Sequence, residues 1–334
     1  MPGKPRGMTA EEKAELLSIG SAAIDDSLLA GGIRTTATAG PGAGGSSFFI
    51  RSGDRRVRLS INPSSPVKVI PEGDQVAAVR DGRVIARGRL ERSLCHCPRE
   101  AYITISERCV FNCRFCPVPL LSGAIKDTET IVSLVEAAAA SGELEAISLT
   151  SGVADTPERE LGRAVKAVKA LRGRFDLPIG VSIYPTRTSS EELRSAGADE
   201  IKYNVETMDP GIFARACPGL SLPFIMESLE GAVPIFGRNH VASNFLIGLG
   251  ETDACVREGV ETLAGMGVIP VLRPISPHPL RQGGIAIERP SSSRLLLLAR
   301  LHRDALERHG LDPLEARTMC LPCTGCDLTP GRDI

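Results

Sequence analysis

The chain has 334 residues and a formal net charge of −1, from 39 Lys+Arg against 40 Asp+Glu. Near-neutrality removes the counterion-release argument for a nucleic-acid partner, and the absence of Trp with only 4% aromatics removes a stacking platform for single strands. No run of about 18 uncharged apolar residues is present, so no membrane span is expected, and the polar first residues do not read as a signal peptide.

Residues 9–31 read as a helix, capped by Thr9, with Glu11 and Glu12 in its first turn and Gly31-Gly32 as its stop. Residues 35–47 read as a plain surface loop. Their glycines resemble a phosphate loop, but the Gly-Lys-Ser/Thr ending is missing. Strand-like runs follow from Phe48 to about Leu90, with Asp81-Gly82 as a hairpin turn. Residues 1–98 therefore form a small N-terminal α+β lobe.

From residue 99 the rhythm changes. Strand-like runs at 101–106, 146–151, 178–184, 200–206, 240–248 and 268–275 alternate with helix-like runs near 128–140, 157–173, 189–196, 221–231 and 253–266. Six such units predict an α/β fold with a parallel sheet, a partial (β/α)6 TIM-type barrel over 99–290. A last helix, 291–309, stops at Gly310 and leads into a Cys-rich tail that ends at 334.

The expected setting is a reducing cytoplasm, where ten cysteines point to metal or catalysis rather than disulfides. Cys109, Cys113 and Cys116 follow the first barrel strand, on the face where barrels carry their chemistry. Three thiolates hold three irons of a [4Fe–4S] cube and leave the fourth open to a small molecule; a zinc site is the alternative. Cys320, Cys323 and Cys326 form a second compact run. A cube held wholly by protein needs a fourth ligand. Cys95 and Cys97, read as two apart on a strand, share a face and offer it, with His96 pointing away. Zinc is again the alternative. Cys217 and Cys255 have no partners at metal spacing and read as inert thiols.

The segment SERCVFNCRFCPVP resembles the signature of the radical S-adenosylmethionine (radical SAM) superfamily. The resemblance implies that Cys109, Cys113 and Cys116 hold a [4Fe–4S] cluster whose open iron chelates SAM, and that Phe115 lies near the adenine. It implies an enzyme that cleaves SAM to a 5′-deoxyadenosyl radical, fed by a ferredoxin- or flavodoxin-like electron donor. Thr150-Ser151-Gly152, Asn204 and Glu206 in an N-x-E-T segment, and the run Leu246 to Glu251 with Gly248 are similar to cofactor-binding segments of that superfamily. Arg273, at the end of the sixth strand, is a candidate to grip a carboxylate. The N-x-E-T and Gly-Leu-Gly-Glu segments resemble the biotin and lipoyl synthase branch. There an auxiliary cluster donates sulfur, which makes an octanoylated lipoyl-carrier protein the favoured substrate. Methylthiolation or C–C chemistry is the alternative within the superfamily, and an electron carrier or zinc-stabilised binding module the alternative outside it. The chain lacks the N-terminal C-x4-C-x5-C triad of bacterial-type lipoyl synthases. The archaeal two-component lipoyl synthase also lacks it, which implies a second radical SAM subunit as partner.

Overall fold

The computed structural model describes residues 6–334. Helix α1 (Ala10–Ile19) opens with a full capping box between Thr9 and Glu12. It ends twelve residues earlier than the sequence pattern predicts, because Gly20 takes a left-handed conformation at φ 70°. The chain then pairs as β1 (Ser21–Ala22) and continues through β2 (Thr35–Thr36), β3 (Ser46–Ser52), β4 (Arg55–Ile61), β5 (Val67–Glu72), β6 (Gln75–Arg80) and β7 (Arg83–Glu91). Asp81 and Gly82 both have positive φ (50° and 75°), as the β6–β7 hairpin turn requires.

The strand order is β1-β4-β3-β7-β6-β5, with β2 on β3. Segment 20–23 hydrogen-bonds to both ends of that order: Asn62 N donates to Ala22 O, and Ala23 N donates to Val67 O. The lobe's sheet thus curls nearly shut around Phe48, Ile50, Leu59 and Ile85, with Leu16 and Leu17 of α1 against them.

The second sheet is all parallel. Its elements are β8 (Glu100–Thr104), α2 (Thr128–Ala139), β9 (Ala146–Thr150), α3 (Pro157–Arg172), β10 (Ile179–Ser182), α4 (Ser189–Ala196), β11 (Glu200–Lys202), α5 (Pro210–Ala216), α6 (Leu222–Phe236), β12 (Val241–Ile247), α7 (Asp253–Gly265), β13 (Ile269–Pro274) and α8 (Ser292–His309). The order β13-β12-β11-β10-β9-β8 gives the six expected units as an open partial barrel, not a closed one. Helix α5 escapes the sequence pattern because it is only seven residues long, although Asp209 caps it and Pro210 starts it. Among the described residues no helix is long and apolar enough to cross a membrane.

The tail threads into the barrel interior. Glu200 accepts from the amides of Arg317 (2.8 Å) and Thr318 (2.9 Å). Ser148 Oγ accepts from Met319 N at 2.8 Å, and Glu100 accepts from Cys320 N at 3.1 Å. A Cβ at Gly180 would collide with Thr318, so β10 must be bare there. Met319 and Leu321 pack on Ile269 and Val271 of β13, while Cys320 meets Tyr102 of β8. The tail therefore fills the side on which the barrel is open. A fully buried pair, Lys13 Nζ to Asp333 Oδ2 at 2.7 Å, ties its end to α1.

Candidate metal centres and the chamber between them

A cavity of about 1220 Å³ lies between the C-terminal ends of the barrel strands and the N-terminal lobe. Cys109, Cys113 and Cys116 line it, and so do Cys95, His96, Cys320 and Cys326. Both cysteine groups therefore reach one chamber. Residues 36–46, expected to be a plain surface loop, line it as well. Thr35 and Thr36 pair with Ser47 and Ser46, which folds the intervening loop back over β8. There Thr38 Oγ1 lies 2.6 Å from Thr104 Oγ1.

The three-cysteine loop is held from several sides. Val110 N donates to Val153 O at 2.7 Å, and Arg114 N to Ala216 O at 2.7 Å. Arg281 donates to Cys116 O (2.6 Å) and to Asn112 Oδ1 (2.7 Å). A Cβ on Gly152 would strike the Arg108 carbonyl, so only glycine lets the loop come this close. Burial raises the Cys109 thiol and pushes Cys116 up to about 12, so a metal must displace their protons. Cys217, which the sequence isolates, is buried beside Cys113, and that contact together with burial holds its thiol protonated. No spacing rule finds this neighbour, because it comes from the end of α5.

The strand ends supply the rest of the wall. Thr150, Ser151, Gly152, Asn204, Glu206, Leu246 and Phe115 all line the chamber. The amides of Ser151 and Gly152 are taken by Ser182 O (3.1 Å) and Ser106 O (2.9 Å), so what this segment can offer an ammonium group is oxygen acceptors. Phe115 is also part of the barrel core. Glu206 sits at φ 59°, a left-handed conformation uncommon for a non-glycine residue. Burial raises its carboxyl to about 7 despite Lys202, Asn204 and Arg273 nearby. Lys202, fully buried, is lowered to about 7 by burial and by the charge of Arg273.

Gly248 and Glu251, expected beside the cofactor, do not line the chamber. The Glu251 carboxylate accepts from Gly248 N (2.9 Å) and Leu249 N (2.8 Å) and pairs with Arg294, so it shapes its own turn. A Cβ on Gly248 would collide with the Glu288 carbonyl. Arg273 is on the chamber wall but sits among the tail residues, 3.7 Å from Asp327.

In the tail group, Cys97 Sγ lies 3.0 Å from Cys320 Sγ, and Cys97, Cys320 and Cys323 form one buried cluster with Phe49. Cys97, and not Cys95, is thus the one in contact with the tail cysteines. Residues 92–99 make turns rather than the strand assumed for them, so the two cysteines do not share a face. For the same reason His96 does not point away: it, Cys97 and Cys320 have ligand atoms mutually within 4.8 Å. Burial and Arg58 lower the imidazole to about 3, so it is neutral and able to ligate. Burial raises Cys97, whereas a hydrogen bond from Cys97, aided by the charge of Arg56, lowers Cys323. Thiolates on one tetrahedral zinc stand about 3.8 Å apart. Among the described residues the three loop thiols are not drawn together within 4.8 Å of one another.

An open parallel (β/α)6 barrel with a three-thiol loop after its first strand defines the class of the site. Residues 103–263, just under half of the chain, match the family model of the radical SAM superfamily domain. Such a domain implies a [4Fe–4S] cluster and SAM, and the Cys109/Cys113/Cys116 loop fits that group. A curated relative, the bacteriochlorophyllide c C-7(1)-hydroxylase of Chlorobaculum limnaeum, is 28% identical over 110 residues, 31% of this chain and 27% of that protein. The FeFe-hydrogenase maturase HydG from Carboxydothermus hydrogenoformans shares the fold with a TM-score of 0.55 at 19% identity, over 63% of this chain and 52% of HydG. Methylornithine synthase PylB aligns with a TM-score of 0.52 at 16% identity, over 70% and 72% of the two chains. The chain thus spans about a quarter of the curated relative's length and about half of HydG.

Proposed function

We propose that the protein is a radical SAM enzyme that abstracts hydrogen from an unactivated C–H bond of a substrate held between its two cysteine groups. The observation that carries this reading is the single chamber lined by both groups. When bound, a reduced [4Fe–4S] cluster and SAM supply a 5′-deoxyadenosyl radical, and an auxiliary cluster supplies electrons or sulfur. Cys109, Cys113 and Cys116 hold the first cluster; Cys97, Cys320, Cys323 and Cys326 hold the auxiliary one. Asn204, Glu206 and the oxygen acceptors after β9 orient SAM, while the loop after β2 and the lobe wall the chamber on the opposite side. A ferredoxin- or flavodoxin-like protein supplies the electron.

Sulfur insertion into an octanoyl group on a lipoyl-carrier domain is the favoured reaction. Its support is the N-x-E-T and Gly-Leu-Gly-Glu segments, together with a tail centre that opens onto the same chamber. The second radical SAM subunit belongs to this reading. The hydroxylase relative favours a second reading, in which oxygen chemistry replaces sulfur insertion. The tight His96/Cys97/Cys320 grouping favours a single zinc ion as the alternative occupant of the tail site.

Anaerobic incubation with SAM, a reductant and an octanoylated carrier peptide tests the reading by mass spectrometry. The expected products are 5′-deoxyadenosine and a peptide heavier by sulfur. 5′-Deoxyadenosine with an unchanged peptide overturns the octanoyl-sulfur assignment alone; no 5′-deoxyadenosine overturns the enzyme reading.

A further inference from the structure

The N-terminal lobe turns one face toward the tail cysteines. Arg56 and Arg58 are two apart on β4 and therefore project to the same side. Arg56 Nη1 donates to Cys323 O at 3.0 Å, and Arg58 N donates to Gly325 O at 2.7 Å. From the barrel, Arg273 of β13 reaches the same region, and both Arg58 and Arg273 line the chamber beside Cys320 and Cys326.

The charges of these three arginines are balanced unequally. Arg56 is neutralised by a bidentate pair with Glu91. Arg273 has Asp327 at 3.7 Å, beyond hydrogen-bond reach, and its Nε is buried without a partner. Arg58 has a buried, unpartnered Nε and no ion-pair partner among the described residues. Arg58 and Arg273 thus both face the tail cysteines without a hydrogen-bonded acid. Partly buried guanidiniums without a hydrogen-bonded acid favour an anion beside them, so the arrangement suits negative charge at this spot.

We infer that Arg58 of the lobe and Arg273 of the barrel balance the negative charge of the auxiliary centre and raise its reduction potential. The inference rests on the auxiliary-cluster reading above. A cube held by four thiolates is negatively charged and gains one more negative charge when an external one-electron donor reduces it. Nearby fixed positive charge in a buried site favours the reduced form. Arg56, already paired, has the smaller effect.

The test is EPR-monitored potentiometry, with dithionite as reductant, on the anaerobically reconstituted full chain. A Cys109/Cys113/Cys116→Ala background leaves the tail centre as the only signal. Arg58→Gln and Arg273→Gln are expected to move the midpoint to more negative potential, and the double variant further. Arg58→Lys should restore most of the shift, and the exposed Arg89→Gln should cause none. Loss of iron in the glutamine variants with full loading in the lysine variant expresses the same charge requirement. An unchanged midpoint at full loading, or iron loss in glutamine and lysine variants alike, overturns the inference. If the background protein itself binds zinc or no metal, the auxiliary-cluster reading fails first, before any arginine is changed.

Discussion

His302 shows how much a single buried group depends on its surroundings. It lies on α8, 3% exposed, with both ring nitrogens unpartnered, in a small space walled by Pro270, Asp327 and Leu328. Burial lowers its pKa to about 4. In the unfolded chain an imidazole titrates near 6.5, so between about 6.5 and 4 the unfolded state binds the extra proton. Stability from the neutral ring is therefore complete above pH 6.5 and lost as the pH falls toward 4, by on the order of 2–3 kcal/mol. Denaturant unfolding at pH 7 and pH 5 should show a steeper fall in the parent than in His302→Phe, which keeps only the share of His96 and other groups; an equal slope in both would refute the assignment. At this scale the sequence was informative where spacing alone decides, as for Cys109, Cys113 and Cys116. It was silent where a neighbour comes from elsewhere in the chain. Cys217 beside Cys113 and Arg281 on the Cys116 carbonyl are contacts of that kind.

The elements divide in the same way. The βα alternation is legible because each buried parallel strand is a short apolar run between helix signals, and all six strands fall where the pattern puts them. Three readings fail for local reasons. Gly20 stops α1 although the helical pattern continues, two residues of pairing turn 35–47 into a wall of the chamber, and the turns at 92–99 separate Cys95 from Cys97 and bring His96 beside Cys97 and Cys320. Helix α1 also has a task that its sequence does not announce, since Lys13 anchors the tail through Asp333 and Thr324 O. Lys13→Met leaves the buried Asp333 with only Arg55, 3.6 Å away, and the Thr329 amide against its charge, a loss of about 3 kcal/mol. Thermal unfolding should register that loss. In the reconstituted variant the tail centre should release iron to a chelator well before the loop centre does. Equal release from both centres would show that the anchor does not hold the tail in place.

Across the whole molecule, three parts separated in sequence build one chamber. The barrel brings the loop cysteines and the strand-end polar groups. The tail enters the open side of the barrel and brings Cys320, Cys323 and Cys326. The lobe covers both, with Phe49, Arg56 and Arg58 against the tail. The composition pointed to metal but did not say that both cysteine groups share a space. That follows from the tail, which enters the open side of the partial barrel and brings its cysteines to the chamber. The most direct measurement of the central claim is iron content with 5′-deoxyadenosine formation, in the reconstituted parent and in the Cys109/Cys113/Cys116→Ala and Cys320/Cys323/Cys326→Ala variants. The structure predicts about eight irons per chain in the parent and about four in each variant, with SAM cleavage lost only when the loop cysteines are removed. A parent that holds about four irons, with the tail variant unchanged in iron, would contradict it.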